Sequence, residues 1–233
     1  ICSPSRAAIL TGRYPQRYGF QFQMHDRYLK NRLEYIGFKY FMDSYPWIAK
    51  WMSAVPDEDA IEKQGLPPTE ISLAELLKKY DYKTGLIGKW HLGSSHFNNP
   101  CAFGFDTQYG FMASHSLYTP EGTSGVIDQK IENDCTDQFI WEGQRNGPHA
   151  IYKNCEMVEE KGYLTDRITE ESIAFMDANK EKSFFLWVSY NAPHTPLQAP
   201  ETYVQQLKDI KDPVRRVHIA MINNLDDAIG NLL

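Results

Sequence analysis

The run Ser183-Phe184-Phe185-Leu186-Trp187-Val188-Ser189-Tyr190 constrains the fold more than any other stretch of this chain, because its apolar centre shows no polar alternation. A strand of that kind has no solvent face and must be covered on both sides. It follows a segment in which Ile168, Ser172, Phe175 and Met176 recur at helical spacing, with Thr165 or Asp166 as the expected cap and Glu170 and Glu171 answering to the helix dipole. The same order occurs earlier in the chain. Ser72-Leu73-Ala74-Glu75 is a capping box that opens a helix to about Tyr80, with Leu73, Leu76 and Leu77 as its apolar face, and Tyr82 to Ile87 reads as a short strand. Helix-then-strand succession points to an α/β architecture.

Both strands empty into loops that carry an imidazole. The first leads into Gly88-Lys89-Trp90-His91-Leu92-Gly93. In an extended chain Lys89 and His91 face one way and Trp90 the other, so a cation and an imidazole are offered together. They stand at the C-terminal end of a strand, the usual ligand edge of an α/β sheet. The second strand leads into Asn191-Ala192-Pro193-His194-Thr195-Pro196-Leu197, where two prolines stiffen the loop holding His194.

A third stretch, Cys2-Ser3-Pro4-Ser5-Arg6-Ala7-Ala8-Ile9-Leu10-Thr11-Gly12-Arg13, opens the chain. Pro4 suits the first turn of a helix, Ser5 to Leu10 continue it, and Gly12 ends it. Cys2 then sits at a helix N-terminus, where free amide N–H groups and the dipole favour an anion. Arg6, one turn in, adds a positive fork. Taken alone, the cysteine is equally a small buried hydrophobe.

Charge and hydropathy narrow the partners. A net charge of −6 argues against a nucleic-acid binder that works through a bulk positive field, so an anion site must be a local basic pocket. No apolar run approaches the ~20 residues that span a bilayer. The chain opens with neither Met nor a signal peptide and closes inside a helical pattern, so it is expected to be a piece cut at both ends.

The first stretch, as Cys2-x-Pro4-x-Arg6 closed by Leu10-Thr11-Gly12-Arg13, resembles the signature of the type I sulfatases. The Gly88 to Gly93 run and the Asn191 to Leu197 loop are two further matches, and Gly104-Phe105-Asp106 is similar to the segment that follows the second motif in relatives. The general similarity is to the arylsulfatase B-like or N-acetylgalactosamine-4-sulfatase-like branch. The resemblance implies an alkaline-phosphatase-like α/β fold with a mostly parallel central sheet flanked by helices, residues 1–233 being part of an N-terminal catalytic domain. It implies that Cys2 is converted to formylglycine, whose hydrate attacks sulfur and ligates Ca2+. Arg6 would hold the hydrate, Lys89 contact the sulfate oxygens, His91 assist sulfate expulsion and His194 face the leaving alcohol. The family's other Ca2+ ligands fall outside residues 1–233, so a complete metal site is not expected here.

The same resemblance implies a sulfated carbohydrate substrate, a formylglycine-generating maturation enzyme, and a secreted or periplasmic location, lysosomal in a eukaryote. Two alternatives use the same residues: a formylglycine-dependent phosphonate or phosphate monoester hydrolase, and a catalytically inactive glycan-binding homologue. A binding module has no need of an oxidisable cysteine at position 2, which counts against the latter.

The remaining stretches are read more plainly. Residues 24 to 64 interleave Tyr35, Phe38, Tyr40, Phe41, Tyr45, Trp47 and Trp51 with Arg27, Lys30, Arg32 and Lys39, without a clean stripe, and read as a locally packed helical excursion placed to select substrate. His96, His115 and His149 lack metal-ligand spacing and read as exposed or hydrogen-bonded histidines. Asp134, Asp137 and Glu142 read as a solvated face. Cys135 and Cys155 could be bridged, leaving Cys101 alone, but spacing does not decide the pairing. Asp212-Pro213 caps a last helix with Val217, Met221, Leu225, Ile229 and Leu232 along one face. The adjacent Asp226 and Asp227 diverge by about 100 degrees on it and read as surface residues.

Overall fold

A computed structural model describes residues 2–21, 33, 36 and 64–233, so the expectation for the aromatic stretch between 24 and 64 falls almost wholly outside the described residues. The elements are α1 (Cys2–Thr11), α2 (Leu73–Lys78), β1 (Lys83–Lys89), β2 (Thr107–Phe111), β3 (Val126–Gln129), α3 (Cys135–Gly143), β4 (Ile151–Lys153), β5 (Glu156–Val158), α4 (Leu164–Asn179), β6 (Phe184–Ser189), β7 (Leu197–Pro200), α5 (Glu201–Gln205) and α6 (Pro213–Gly230). A five-stranded sheet has the order β5-β4-β2-β1-β6, and β3 pairs with β7 in a separate ribbon. β1 is parallel to both β2 and β6, whereas β4 is antiparallel to β2 and to β5. The sheet is therefore mixed, a parallel half carrying the candidate site and an antiparallel hairpin at the other edge.

Alternation along β1 divides the core. Ile87 packs into a cluster with Ile168 of α4 and Val217, Ala220 and Met221 of α6. Leu86 points to the opposite face, into a cluster with Ala7 and Leu10 of α1, Ala74 of α2, Trp90 and Phe105. Helices thus cover both faces, as a buried parallel strand pair requires.

Four expectations change in physical detail. The apolar run of β6 is covered on both faces, Leu186 and Val188 on one and Phe185 and Trp187 on the other, yet these residues are only half-buried because no strand among the described residues pairs with the outer edge of β6. The capping box of α2 forms with both reciprocal bonds, but the helix turns Ala74 inward and leaves Leu73 and Leu76 37% and 45% exposed. α4 starts two to three residues early, with Tyr163 at its N-cap in place of Thr165 or Asp166 and no side-chain cap bond. Asp166 instead accepts a hydrogen bond from Asn224 of α6, while Glu170 and Glu171 pair with Arg167 and Glu171 also with Lys153. Finally, Cys155 is bonded to Cys101, which excludes the Cys135–Cys155 bridge. That disulfide ties the turn before β2 to the β4–β5 hairpin.

α6 starts as expected, but its stripe holds only in part: Leu225 is half-buried, Ile229 is exposed and Leu232 lies past the end of the helix. Asp212 accepts from the Arg215 N–H, Pro213 fills the first turn, and Val217 and Met221 are buried together with Ala220, Asn224 and Ala228. Asp226 and Asp227 are exposed, and Asp227 accepts a hydrogen bond from the Tyr203 hydroxyl.

Candidate active site

The C-terminal ends of β1 and β6 and the N-terminus of α1 meet at one edge of the sheet. α1 begins at Cys2, a free and partly exposed thiol. One turn along, Arg6 reaches across to β1: its Nε donates to the Trp90 carbonyl at 2.6 Å and an Nη donates to the Lys89 carbonyl. Its guanidinium carbon also lies 5.0 Å from the centre of the Trp187 ring of β6. Arg6 therefore clamps the start of α1 onto the two strands. Burial lowers its pKa to about 10, the Cys2 sulfur acting in the opposite direction, and it stays cationic at neutral pH.

Lys89 is the last residue of β1 and is buried. Beyond it the backbone leaves the strand: Trp90 turns fully into the core, where its indole N–H donates to the Asn98 carbonyl, and His91 adopts a φ of 55°. The strict two-residue alternation thus ends at Lys89, and a local left-handed bend sets the direction of His91. The His91 imidazole is fully buried with neither ring nitrogen hydrogen-bonded. Burial, then the charges of Lys89, Arg6, His194 and His115, push its pKa down to about 2, so the ring is neutral.

His194 follows β6 in a loop with cis Ala192–Pro193 and Thr195–Pro196 peptides. Its Nδ1 is 2.6 Å from the Thr195 carbonyl. A carbonyl only accepts, so Nδ1 carries the proton and Nε2 presents a lone pair when the ring is neutral. Burial, then Lys89, lower its pKa, with the Thr195 bond opposing them. The charges of Cys2, Arg6, Lys89, His91 and His194 thus bear on one another across three separate segments, the start of α1, the end of β1 and the loop after β6.

His115, expected to be exposed or hydrogen-bonded, is bonded through Nδ1 to the Ser114 hydroxyl and also joins that cluster of charges. It is 3% exposed, and its charge bears on His91. The signal for it lay in topology: Gly104-Phe105-Asp106 leads into β2, which runs parallel to β1 and ends at the same edge, so the residues after Phe111 arrive beside Lys89 and His91. His149 stacks on His115 with ring centres 4.2 Å apart, whereas His96 is exposed against Phe97. Asp137 is buried, accepting from the Ile131 N–H and the Trp141 indole, and is not part of a solvated face.

The sulfatase family model matches residues 1–233, the whole chain. This chain belongs to the sulfatase family. It is 30% identical over 242 residues to the uncharacterized sulfatase YdeN of Escherichia coli and 29% identical over 237 residues to human N-acetylgalactosamine-6-sulfatase, covering 100% of its own length and 35% and 37% of theirs. Among solved structures it is similar to Ps i-CgsB in complex with k-i-k-neocarrahexaose, at 29% identity and a TM-score of 0.70, covering all of this chain and 43% of the other. This chain thus spans little more than a third of the length of those two curated relatives, and its fold is the alkaline-phosphatase-like α/β fold.

Among the described residues of this sulfatase, no three His, Cys, Asp or Glu side chains converge closely enough to hold a metal ion. A Ca2+ site takes six to eight oxygen ligands. The described residues do not amount to one. No helix among the described residues is long and apolar enough to cross a membrane.

Proposed function

We propose that this chain carries the ester-binding half of a sulfuric ester hydrolase acting on a sulfated carbohydrate. The observation that supports this most directly is His91, a fully buried imidazole with two unpartnered nitrogens, within electrostatic reach of Lys89 and Arg6. An unpaired buried polar group is costly, so a site that leaves both nitrogens of a buried imidazole open is arranged for a ligand with polar oxygens. A sulfate monoester, with its charge spread over three oxygens, meets that need.

The formylglycine that the family derives from this cysteine by a maturation enzyme would supply at Cys2 a hydrated aldehyde, one hydroxyl to attack sulfur and the other to allow sulfate to leave. Cys2 fits that conversion in being free, partly exposed and at the start of a helix. Arg6 holds the position of that side chain while its own position is fixed by the Lys89 and Trp90 carbonyls. Lys89 places a positive charge against the sulfate oxygens, where preorganised electrostatics contribute most to such a transfer. His91, neutral, takes and returns a proton beside position 2. His194 stands on the side of the leaving alcohol, and its Nε2 donates a proton only when the ring is charged. The Cys101–Cys155 disulfide supports maturation in an oxidising compartment, secreted, periplasmic or lysosomal.

The reading is tested by the full-length protein on aryl sulfate and aryl phosphate of the same leaving group. A sulfate preference of ~10-fold or more in kcat/KM is expected, and an equal preference for phosphate would replace this reading with a phosphate or phosphonate monoester hydrolase. The protonation argument adds a second expectation. Because burial and Lys89 hold the His194 pKa below its ordinary value, the charged donor form is lost as pH rises through that lowered pKa. kcat/KM should therefore decline on a limb below about pH 6.5. A profile flat to pH 8 would remove His194 from the role of acid.

A further inference from the structure

We propose that His115 is a substrate-positioning residue that hydrogen-bonds, through Nε2, a hydroxyl of the sugar on the leaving-group side of the ester; this rests on the sulfatase reading. His115 is nine-tenths buried and more, yet its Nε2 has no partner. Its other ring nitrogen and its own carbonyl are engaged. Its Nδ1 lies 2.8 Å from the Ser114 hydroxyl, and its carbonyl accepts from His149 Nδ1 at 2.9 Å. The ring is held face-on by His149 and edge-on by Phe139, with centres 4.2 and 6.0 Å away. Two more bonds fix this segment to the His194 loop: Asn191 donates to the Ser116 carbonyl at 3.2 Å, and the Tyr118 hydroxyl donates to the His194 carbonyl at 2.9 Å. A side chain so constrained, with one polar atom left over, is arranged for something that arrives from outside the chain.

What arrives is narrowed by the neighbours. The groups whose charges bear on His115 are His149, His194 and Lys89, while the Arg6 guanidinium answers to Cys2. The Asn191–Ser116 and Tyr118–His194 bonds set the His115 segment against the His194 loop, the side that the proposed mechanism gives to the alcohol, and the charge of His115 also bears on His91. The ring is neutral there, since burial and its charged neighbours oppose protonation. A neutral imidazole makes a poor counter-ion for sulfate and a good partner for a hydroxyl, which both donates and accepts and so satisfies either tautomer of Nε2.

The test uses the full-length, matured protein with p-nitrophenyl sulfate, whose leaving group has no alcohol hydroxyls, and the best-used of N-acetylgalactosamine 4-sulfate, N-acetylgalactosamine 6-sulfate and a sulfated galactan oligosaccharide. His115→Leu should raise KM for the saccharide by ~10- to 100-fold with kcat within ~3-fold, and should raise KM for p-nitrophenyl sulfate much less. His115→Gln, which keeps a polar end, should restore most of the saccharide affinity. Parallel losses on both substrates, or a Leu variant matching wild type on the saccharide, overturn the proposal while leaving the sulfatase reading intact. So does a wild-type protein that hydrolyses the aryl ester but none of the saccharides. A wild-type protein that hydrolyses no sulfate ester overturns both.

Discussion

Cys2→Ala in the full-length protein should lower aryl sulfate turnover by at least ~10^4-fold, the scale of losing a nucleophile whose supporting groups remain. The substitution removes one partly exposed atom from the start of α1 and leaves the Arg6 clamp on the Lys89 and Trp90 carbonyls in place. The fold is thus expected to survive, and thermal unfolding should move little. Cys2→Ser separates chemistry from packing. Its hydroxyl can attack sulfur, but a plain alkyl sulfate has no second hydroxyl to expel the group, so the protein should gain the mass of one sulfuryl group and stop. In active wild type the peptide containing position 2 should weigh ~18 Da less than its thiol form. An active enzyme with an intact thiol there, or an Ala variant keeping more than ~1% of the rate, would remove position 2 from the mechanism.

Most of what local pattern can encode was legible. The capping box at Ser72, the Asp212-Pro213 start of α6 and the strand before Lys89 all rest on residues a few positions apart, and all form as read. The differences arise where a distant partner decides. Nothing within Phe184 to Val188 says that no strand among the described residues pairs with the outer edge of β6, since strand order is set by crossovers tens of residues long. The inward face of α2 is chosen by the neighbours in its cluster, so small Ala74 is buried and Leu73 is not. Cys155 bonds Cys101 across a separation of 54 residues, because the β4–β5 hairpin returns to the edge of β2. In the site, Lys89, His91 and His194 were readable because each lies at or just past the C-terminal end of a strand, but His91 is turned by a backbone φ of 55° and not by pleat alternation. His115 escaped because its place depends on β2 lying beside β1, which only the sheet reveals.

That sheet geometry makes its own demand at Gly88, where alanine should cost at least about 4 kcal/mol. Gly88 has a φ of +118°, and a Cβ built there would lie 1.9 Å from the Ser189 carbonyl oxygen of β6, which is backbone and cannot swing aside. On the other side Gly110, at a φ of +135°, presses in the same way on the Gly88 carbonyl. Three strands are thus drawn together through two missing side chains, one residue before Lys89. Gly12 supplies the comparison: its φ is +65°, but an added Cβ meets nothing within 4 Å. Gly12→Ala should therefore cost only the left-handed backbone strain of about 1 to 2 kcal/mol. The excess at Gly88 measures the collision, and against a typical stability of about 5 to 15 kcal/mol it is enough to deplete the soluble protein. Denaturant unfolding of the two variants beside wild type distinguishes the cases. If Gly88→Ala unfolds within about 1 kcal/mol of Gly12→Ala, the strands tolerate being spread, and the close approach is not what holds Lys89 and His91 at the sheet edge.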